Sequence, residues 1–205
     1  MKLIALIFSI VTSLGVANAA PLPFSAQGLR GADEVFLPHA GPGRYDSYLA
    51  LNLPFAPAAE LRSAVEAQFR VTLKHRGEAH VTVVTPVEFW DVLKPLGMTI
   101  QEIDQIALGT GLQQLPVSAV CLGRGQLVIN SILESTFYVV VKSPELVALR
   151  GRIQQRFEEL GGTPGAFNAE TFYPHITLGY TERDLHDTDG VFKDDKTCVE
   201  DLVIQ

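Results

Sequence analysis

The sequence has few cysteines, few positive charges and few long apolar stretches, and each shortage excludes something. Its 205 residues include two cysteines, Cys121 and Cys198, and 16 lysines and arginines against 23 acidic residues, a formal net charge of -7. Because the chain is acidic, it has no general attraction for polyanions, and we expect no long nucleic acid as a partner. A small nucleotide could still bind through local contacts. Nothing around the cysteines has the spacing of a zinc site. They form either one disulfide or two buried free thiols, and the sequence leaves both open.

The one long apolar stretch lies at the N-terminus. Residues 1–19 contain a single lysine, Lys2, then an uncharged run, and end in Ala17-Asn18-Ala19. This pattern is typical of a secretory signal peptide cleaved after Ala19. The run is short for an uncleaved anchor, because a membrane-spanning helix needs about 20 apolar residues. We therefore expect a secreted or periplasmic protein with no membrane attachment after cleavage.

The rest of the chain predicts one arm and one domain. Residues 20–44 are rich in Gly, Pro and Ala and predict an arm over the surface, with His39 as a solvated loop histidine. Residues 45–205 predict an α+β domain, which we expect to be a monomer. Its predicted strands cover 48–53, 79–84, 115–122, 126–132, 136–141, 172–180 and 197–204, with a turn at 123–125. Its main helices cover 58–73, 99–108 and 144–160, and the second of them begins with Thr99 as a cap and Glu102 three residues later.

Two of these strands carry the same pattern of histidine, apolar residue, threonine and apolar residue. It occurs as His80-Val81-Thr82-Val83 and again as His175-Ile176-Thr177-Leu178. Residues two apart on a strand lie on the same face, so each strand presents one histidine and one threonine together. One such motif is weak, since histidine and threonine often fall two apart on exposed strands. Two copies with matched flanks predict a shared site.

The residue types suit phosphodiester chemistry. Histidine exchanges protons near neutral pH, so two histidines on opposite sides of a substrate can act as base and acid. Each threonine hydroxyl can donate a hydrogen bond to a non-bridging phosphate oxygen. Transfer or hydrolysis of a phosphodiester at an internal 2′-hydroxyl needs neither a metal nor another cofactor when these four groups are in place.

With these motifs the sequence resembles the two-histidine (2H) phosphoesterase superfamily, which includes 2′,5′ RNA ligase-like proteins and cyclic phosphodiesterases. The second motif follows Phe172-Tyr173-Pro174, a context common in the family, and the resemblance spans 45–181. It implies a bilobal, pseudo-symmetric α+β fold, with two antiparallel sheets facing a central groove and helices outside.

The resemblance also implies roles for individual residues. His80 and His175 would be base and acid in an order left open, and Thr82 and Thr177 would bind the phosphate. Tyr173 is the candidate for stacking on a base, since it lies two residues before His175 and shares its strand face if the strand extends that far. The alternative is a core aromatic. Relatives often have a basic residue near the phosphate. Neither motif contains one here, and only folding could bring a distant basic residue to the site; the candidates are Lys74, Arg76, Arg124 and Lys142.

The combined interpretation is an exported, metal-independent phosphodiesterase acting on cyclic phosphodiesters such as nucleoside 2′,3′-cyclic phosphates or short RNA ends. The first alternative is a non-catalytic module of the same fold that binds a nucleotide or another phosphorylated ligand. The second is a metal-dependent hydrolase that uses both histidines with carboxylates. His186 lies among acidic residues and is interpreted as solvated rather than as a metal ligand.

Overall fold

The computed structural model describes residues 21–205, and its main feature is a six-stranded antiparallel sheet. The predicted signal peptide, residues 1–19, lies outside the described residues. The strands are β1 (Leu22–Phe24), β2 (Leu49–Leu53), β3 (Ala79–Val84), β4 (Ser118–Ile129), β5 (Ile132–Lys142), β6 (His175–Tyr180), β7 (Cys198–Glu200) and β8 (Leu202–Ile204). The α-helices are α1 (Phe55–Phe69), α2 (Ile100–Gly109) and α3 (Pro144–Glu159).

The sheet joins the two halves of the domain. Its strand order is β2-β3-β6-β5-β4-β7, while β1 and β8 form a separate parallel pair. The predicted α+β class is confirmed. The two antiparallel sheets that the resemblance implied are two halves of one sheet, because β3 and β6 pair at Val81 and Ile176. Among residues 21–205, no helix is long and apolar enough to cross a membrane.

Local capping explains where two of the helices begin. The Thr99 hydroxyl accepts a hydrogen bond from the Glu102 N–H at the start of α2, as the sequence predicted. At the start of α3 the Ser143 hydroxyl accepts from the Leu146 N–H, and Pro144 occupies the first turn. Helix α1 is shorter than predicted because Arg70 adopts a left-handed conformation (φ 54°), after which Lys74 pairs with Tyr180.

The turn predicted at residues 123–125 is wrong. β4 runs straight through them, and the hairpin turns at Asn130 and Ser131, both with positive φ. The glycines serve packing instead, since a Cβ on Gly123 would lie 2.3 Å from the Tyr138 ring. They allow a close approach to the sheet and do not reverse the chain.

The two faces of the sheet differ. The helices pack on one face over a core that includes Val81, Val83, Ile176 and Leu178. The opposite face holds a smaller cluster of Cys121, Tyr138 and Val140, and carries the polar residues of both motifs. The helices therefore leave the motif face open to the rest of the chain.

The predicted arm packs on the domain. Phe24, in β1, is 1% exposed and belongs to the main core, and β1 pairs with β8 near the C-terminus. His39 forms an isolated bridge with Tyr48. The prediction of a solvated His39 is wrong, because its ring stacks on the Tyr48 ring at a centroid distance of 4.0 Å.

Candidate active site

The two motif strands are neighbours in the sheet. β3 and β6 run antiparallel, and Val81 of β3 lies opposite Ile176 of β6, with both side chains buried under the helices. The histidines and threonines on either side of this pair alternate to the other face. Counting one residue outward places His80 across from Thr177, and His175 across from Thr82. The structure thus brings all four predicted motif residues to one face.

A hydrogen bond to the backbone fixes the orientation of the His175 ring. Its Nδ1 lies 2.7 Å from the carbonyl oxygen of Tyr173, and since that oxygen only accepts, Nδ1 carries the proton. In the neutral ring Nε2 then has a free lone pair. This nitrogen lies 3.2 Å from Nζ of Lys193, and the edge of the Tyr138 ring packs against the imidazole at 5.6 Å.

Lys193 is the site residue that the sequence interpretation missed. Its ammonium lies 2.8 Å from the Asp184 carboxylate, and its side chain is 3% exposed. Lys193 lies in a loop rich in aspartate, and no repeated pattern there marks it as buried, so only the fold identifies it. Burial lowers the pKa of Lys193, and Asp184 opposes that effect. Burial alone would raise the pKa of Asp184, but the charges of Lys193 and His186 hold it below its usual range.

The four basic residues named from the sequence are placed differently from Lys193. Lys74 forms a surface ion pair with Glu182, and Lys142 lies 3.7 Å from Asp195. Arg124 lies over the Phe69 and Phe137 rings. Of the four, Arg76 is the one whose charge reaches groups at both motifs, since it lowers the pKa of His80 at the first and of Lys193 beside the second.

His80 has a different environment from His175. Its Nδ1 lies 3.8 Å from a carboxylate oxygen of Glu78, and its side chain is 17% exposed. The rings of His39 and Tyr48 pack near it, at centroid distances of 6.3 and 5.8 Å. The first histidine therefore has an acidic neighbour, whereas the second has a cation.

Burial keeps both imidazoles neutral in the free protein. It lowers the pKa of His80 from 6.5 to about 4, although Glu78 raises it. Burial and, to a lesser extent, the charge of Lys193 together lower the pKa of His175 to about 3. The carboxylate thus favours the imidazolium at His80, and the ammonium disfavours it at His175.

Tyr173 lies in the loop before β6, because that strand begins at His175. Its ring packs against Phe192 at a centroid distance of 5.4 Å. Phe192 directly precedes Lys193, so the Tyr173 ring borders the segment that reaches the second histidine. Its predicted placement on the strand face is wrong, because the strand does not extend that far.

The carboxylates near the histidines do not gather into a metal site. His186 lies 3.8 Å from Asp184 and is half exposed. Within the described part of the chain, no group of three or more His, Cys, Asp or Glu side chains is arranged to hold a metal ion.

A disulfide joins β4 to β7 at the edge of the sheet. Cys121 and Cys198 are bonded, which resolves the choice that the sequence left open. Next to it, the Tyr138 hydroxyl donates to the Thr197 hydroxyl at 2.9 Å. Both contacts fasten the end of the loop that carries Lys193 to the sheet.

The fold and the paired motifs define a two-histidine phosphoesterase, and a comparison with known families agrees. Residues 47–186 match the family described as Swiss Army Knife, 2H phosphoesterase domain. This match covers more than half of the chain, so the chain belongs to the 2H phosphoesterase family. No curated protein and no solved structure matches the chain significantly. Both His39 and Lys193 lie outside the matched residues.

Proposed function

We propose that this protein is a metal-independent phosphodiesterase that hydrolyses cyclic phosphodiesters such as nucleoside 2′,3′-cyclic phosphates or short RNA ends. The observation that carries the proposal is the pairing of β3 with β6 at Val81 and Ile176, which puts both His-x-Thr motifs on one sheet face. Membership of the 2H phosphoesterase family supports phosphoesterase chemistry in general.

The spacing of the motifs suits a phosphate. The two histidines are diagonal neighbours on adjacent antiparallel strands, a relation in which residues are about 7–8 Å apart. A phosphodiester placed between them has one imidazole on each side of phosphorus. The hydroxyls of Thr82 and Thr177 lie on the other diagonal of the same square, where they can donate to the two non-bridging oxygens.

The surroundings of the histidines favour one order of proton transfer. His175 is neutral, with its Nε2 lone pair available once Lys193 turns to the substrate, so it takes a proton from the attacking water. The water oxygen then bonds to phosphorus, and the bond from phosphorus to one ribose oxygen breaks. His80 donates the proton to that leaving oxygen. Glu78 and the negative charge of the bound phosphodiester both favour its protonated form.

The Cys121–Cys198 disulfide supports a location outside the reducing cytosol, in line with the predicted signal peptide. The net charge of -7 favours small nucleotides over long RNA, because a polyanion would be repelled. We therefore propose a secreted or periplasmic enzyme that degrades small cyclic phosphodiesters.

Turnover of a panel of nucleoside 2′,3′-cyclic phosphates in EDTA tests the function. We expect His80→Ala and His175→Ala each to lower kcat/KM by about 100-fold or more, since each removes one proton-transfer group. His75→Ala is the matched control, because His75 is exposed, its ring packs on Phe55, and its loss should leave turnover unchanged.

Two other results would replace the proposal. If the protein turns over none of the panel and yet is stabilised against heat by a nucleotide, it is a binding module of the same fold. Activity that disappears in EDTA and returns with a divalent metal would identify a metal-dependent hydrolase.

A further inference from the structure

Lys193 reaches the second motif from a part of the chain that neither motif predicts. It lies 18 residues beyond His175 and outside the family match. Its ammonium is almost fully buried, with Asp184 and His175 as its two hydrogen-bond partners. An ammonium has three N–H donors, so Lys193 can keep its hydrogen bond to Asp184 while it turns another donor from Nε2 to a substrate oxygen.

We propose that Lys193, held in place by Asp184, is a third catalytic group that binds a non-bridging oxygen of the phosphodiester beside His175. The inference rests on the proposed function and names a residue that neither the motifs nor the family match contains. It supplies the positive charge that both motifs lack. When the phosphate arrives, its oxygen takes the donor that Lys193 now directs at Nε2, and this leaves His175 free to act as base.

The segment around Lys193 is built to hold it still. The buried Leu185 donates its N–H to the Thr136 hydroxyl at 2.9 Å, and the Val191 side chain packs on the bare backbone of Gly125. Thr197 contacts Tyr138, and the disulfide at Cys198 follows. A buried cation held by its loop stabilises transition-state charge better than a mobile surface lysine, because only the donors of its ammonium have to reorient.

The charges around the site agree with this role. Besides Lys193, the titratable groups that face or influence His175 are Asp184, His186 and Tyr138. Asp184 neutralises the ammonium in the free protein, which makes its burial tolerable. A phosphodiester monoanion would then be bound by the Lys193–Asp184 ion pair, in which one N–H of the Lys193 ammonium points at the phosphate.

The test uses the full mature protein and two variants. Lys193→Met keeps most of the length of the side chain and removes its charge. Lys193→Met combined with Asp184→Asn also removes the carboxylate, so that no buried charge is left unpaired if the single variant folds poorly. Lys74→Met is the matched control, since Lys74 makes a surface ion pair with Glu182 on the same loop and lies outside the site.

Three measurements are made on each protein: kcat/KM for a nucleoside 2′,3′-cyclic phosphate, the Kd for adenosine 2′-monophosphate, and the titration of His175 by NMR. We expect both Lys193 variants to lose about 100-fold in kcat/KM and about tenfold in affinity. The pKa of His175 should rise in Lys193→Met, because the opposing charge is gone. Lys74→Met should match the unmodified protein in all three.

The outcomes separate this inference from the proposed function. If the unmodified protein turns over the substrate and both Lys193 variants stay within about threefold of it, the role of Lys193 is refuted and the function stands. If no substrate is turned over, the proposed function fails and the Kd decides. A tenfold loss of affinity then still supports phosphate binding by Lys193, whereas equal affinity, or no binding at all, refutes it.

Discussion

Replacing Arg150 should weaken both the fold and the site, because this one side chain connects the two motif strands. Arg150 lies in α3 and is 1% exposed. Its guanidinium donates to the carbonyl of Val83 at the end of β3, and to the carbonyls of Asn168, Ala169 and Thr171 in the loop before β6. It also forms a two-oxygen ion pair with Glu88.

The size of the effect follows from the acceptors that are left behind. Arg150→Met removes the guanidinium hydrogen bonds to four carbonyls and to the Glu88 carboxylate. It also removes the guanidinium group that lies 4.6 Å from the Phe167 ring centroid. Breaking a buried ion pair on one side costs about 3–5 kcal/mol, so we expect the free energy of unfolding to fall by about that amount. Arg150→Lys keeps the charge but has three donors instead of a planar fork, so about half of that loss is expected.

Urea unfolding followed by circular dichroism measures the loss of stability, and kcat/KM on a cyclic phosphodiester at low temperature measures the effect on the site. A shift of about 1 Å in the loop before His175 would lower kcat/KM by about 100-fold even in protein that is still folded. Arg156→Lys is the control on the same helix, since Arg156 pairs with Glu102 at the surface and its replacement should leave both measurements unchanged. If Arg150→Met changed the stability no more than this control does, the connection between the strands would not depend on Arg150.

Three further predictions concern stability. The pKa of His175 is about 3 in the folded protein and 6.5 in the unfolded one, so stability is lost as pH falls below 6.5. Between about pH 7.5 and 4.5 the protein should lose about 2.7 kcal/mol more than His175→Gln does, and equal losses would contradict the burial argument. Burial raises the pKa of Asp104 to about 6, and one of its carboxylate oxygens has no hydrogen-bond partner, so the ionised form destabilises the fold above that pH. Asp104→Asn should therefore raise the free energy of unfolding by about 1–2 kcal/mol in thermal melts at about pH 7. A less stable variant would refute this. Reducing the Cys121–Cys198 bond should lower the free energy of unfolding by about 4 kcal/mol, because the bond closes a loop with a sequence separation of 77. The shift of the urea midpoint measures this loss, and an unchanged midpoint would mean that the unfolded chain is already compact.

The parts of the fold that were predictable from sequence depend on local patterns. The alternation around His80 and His175 gave both motif strands and their faces, because period-two burial is a property of a few adjacent residues. The Thr99 cap of α2 was equally local. The glycines of β4 misled the prediction, since a glycine that allows close packing looks in sequence like one that turns the chain.

What the sequence did not predict depends on distant parts of the chain. Lys193 meets His175 only because the loop after β6 folds back over the sheet. Its sequence neighbours are two apolar residues before it and two aspartates after it, and this pattern does not identify a distant partner. His39 was missed for the same reason, since the Gly- and Pro-rich residues around it give no hint of a stacked partner. In both cases the informative contact is with a residue that no periodicity connects to it.

These unpredicted residues also break the symmetry of the site. Two identical His-x-Thr motifs on paired strands would give two equivalent histidines, and nothing would then decide which one acts as base. The difference comes from neighbours outside the repeated pattern: Glu78 stands before the first motif, and Lys193 arrives at the second from the C-terminal loop. A carboxylate favours the imidazolium and an ammonium opposes it, so the two histidines differ in their readiness to hold a proton. In the proposed mechanism, the motifs therefore supply the chemical groups, and the surrounding charges set the direction in which the proton moves.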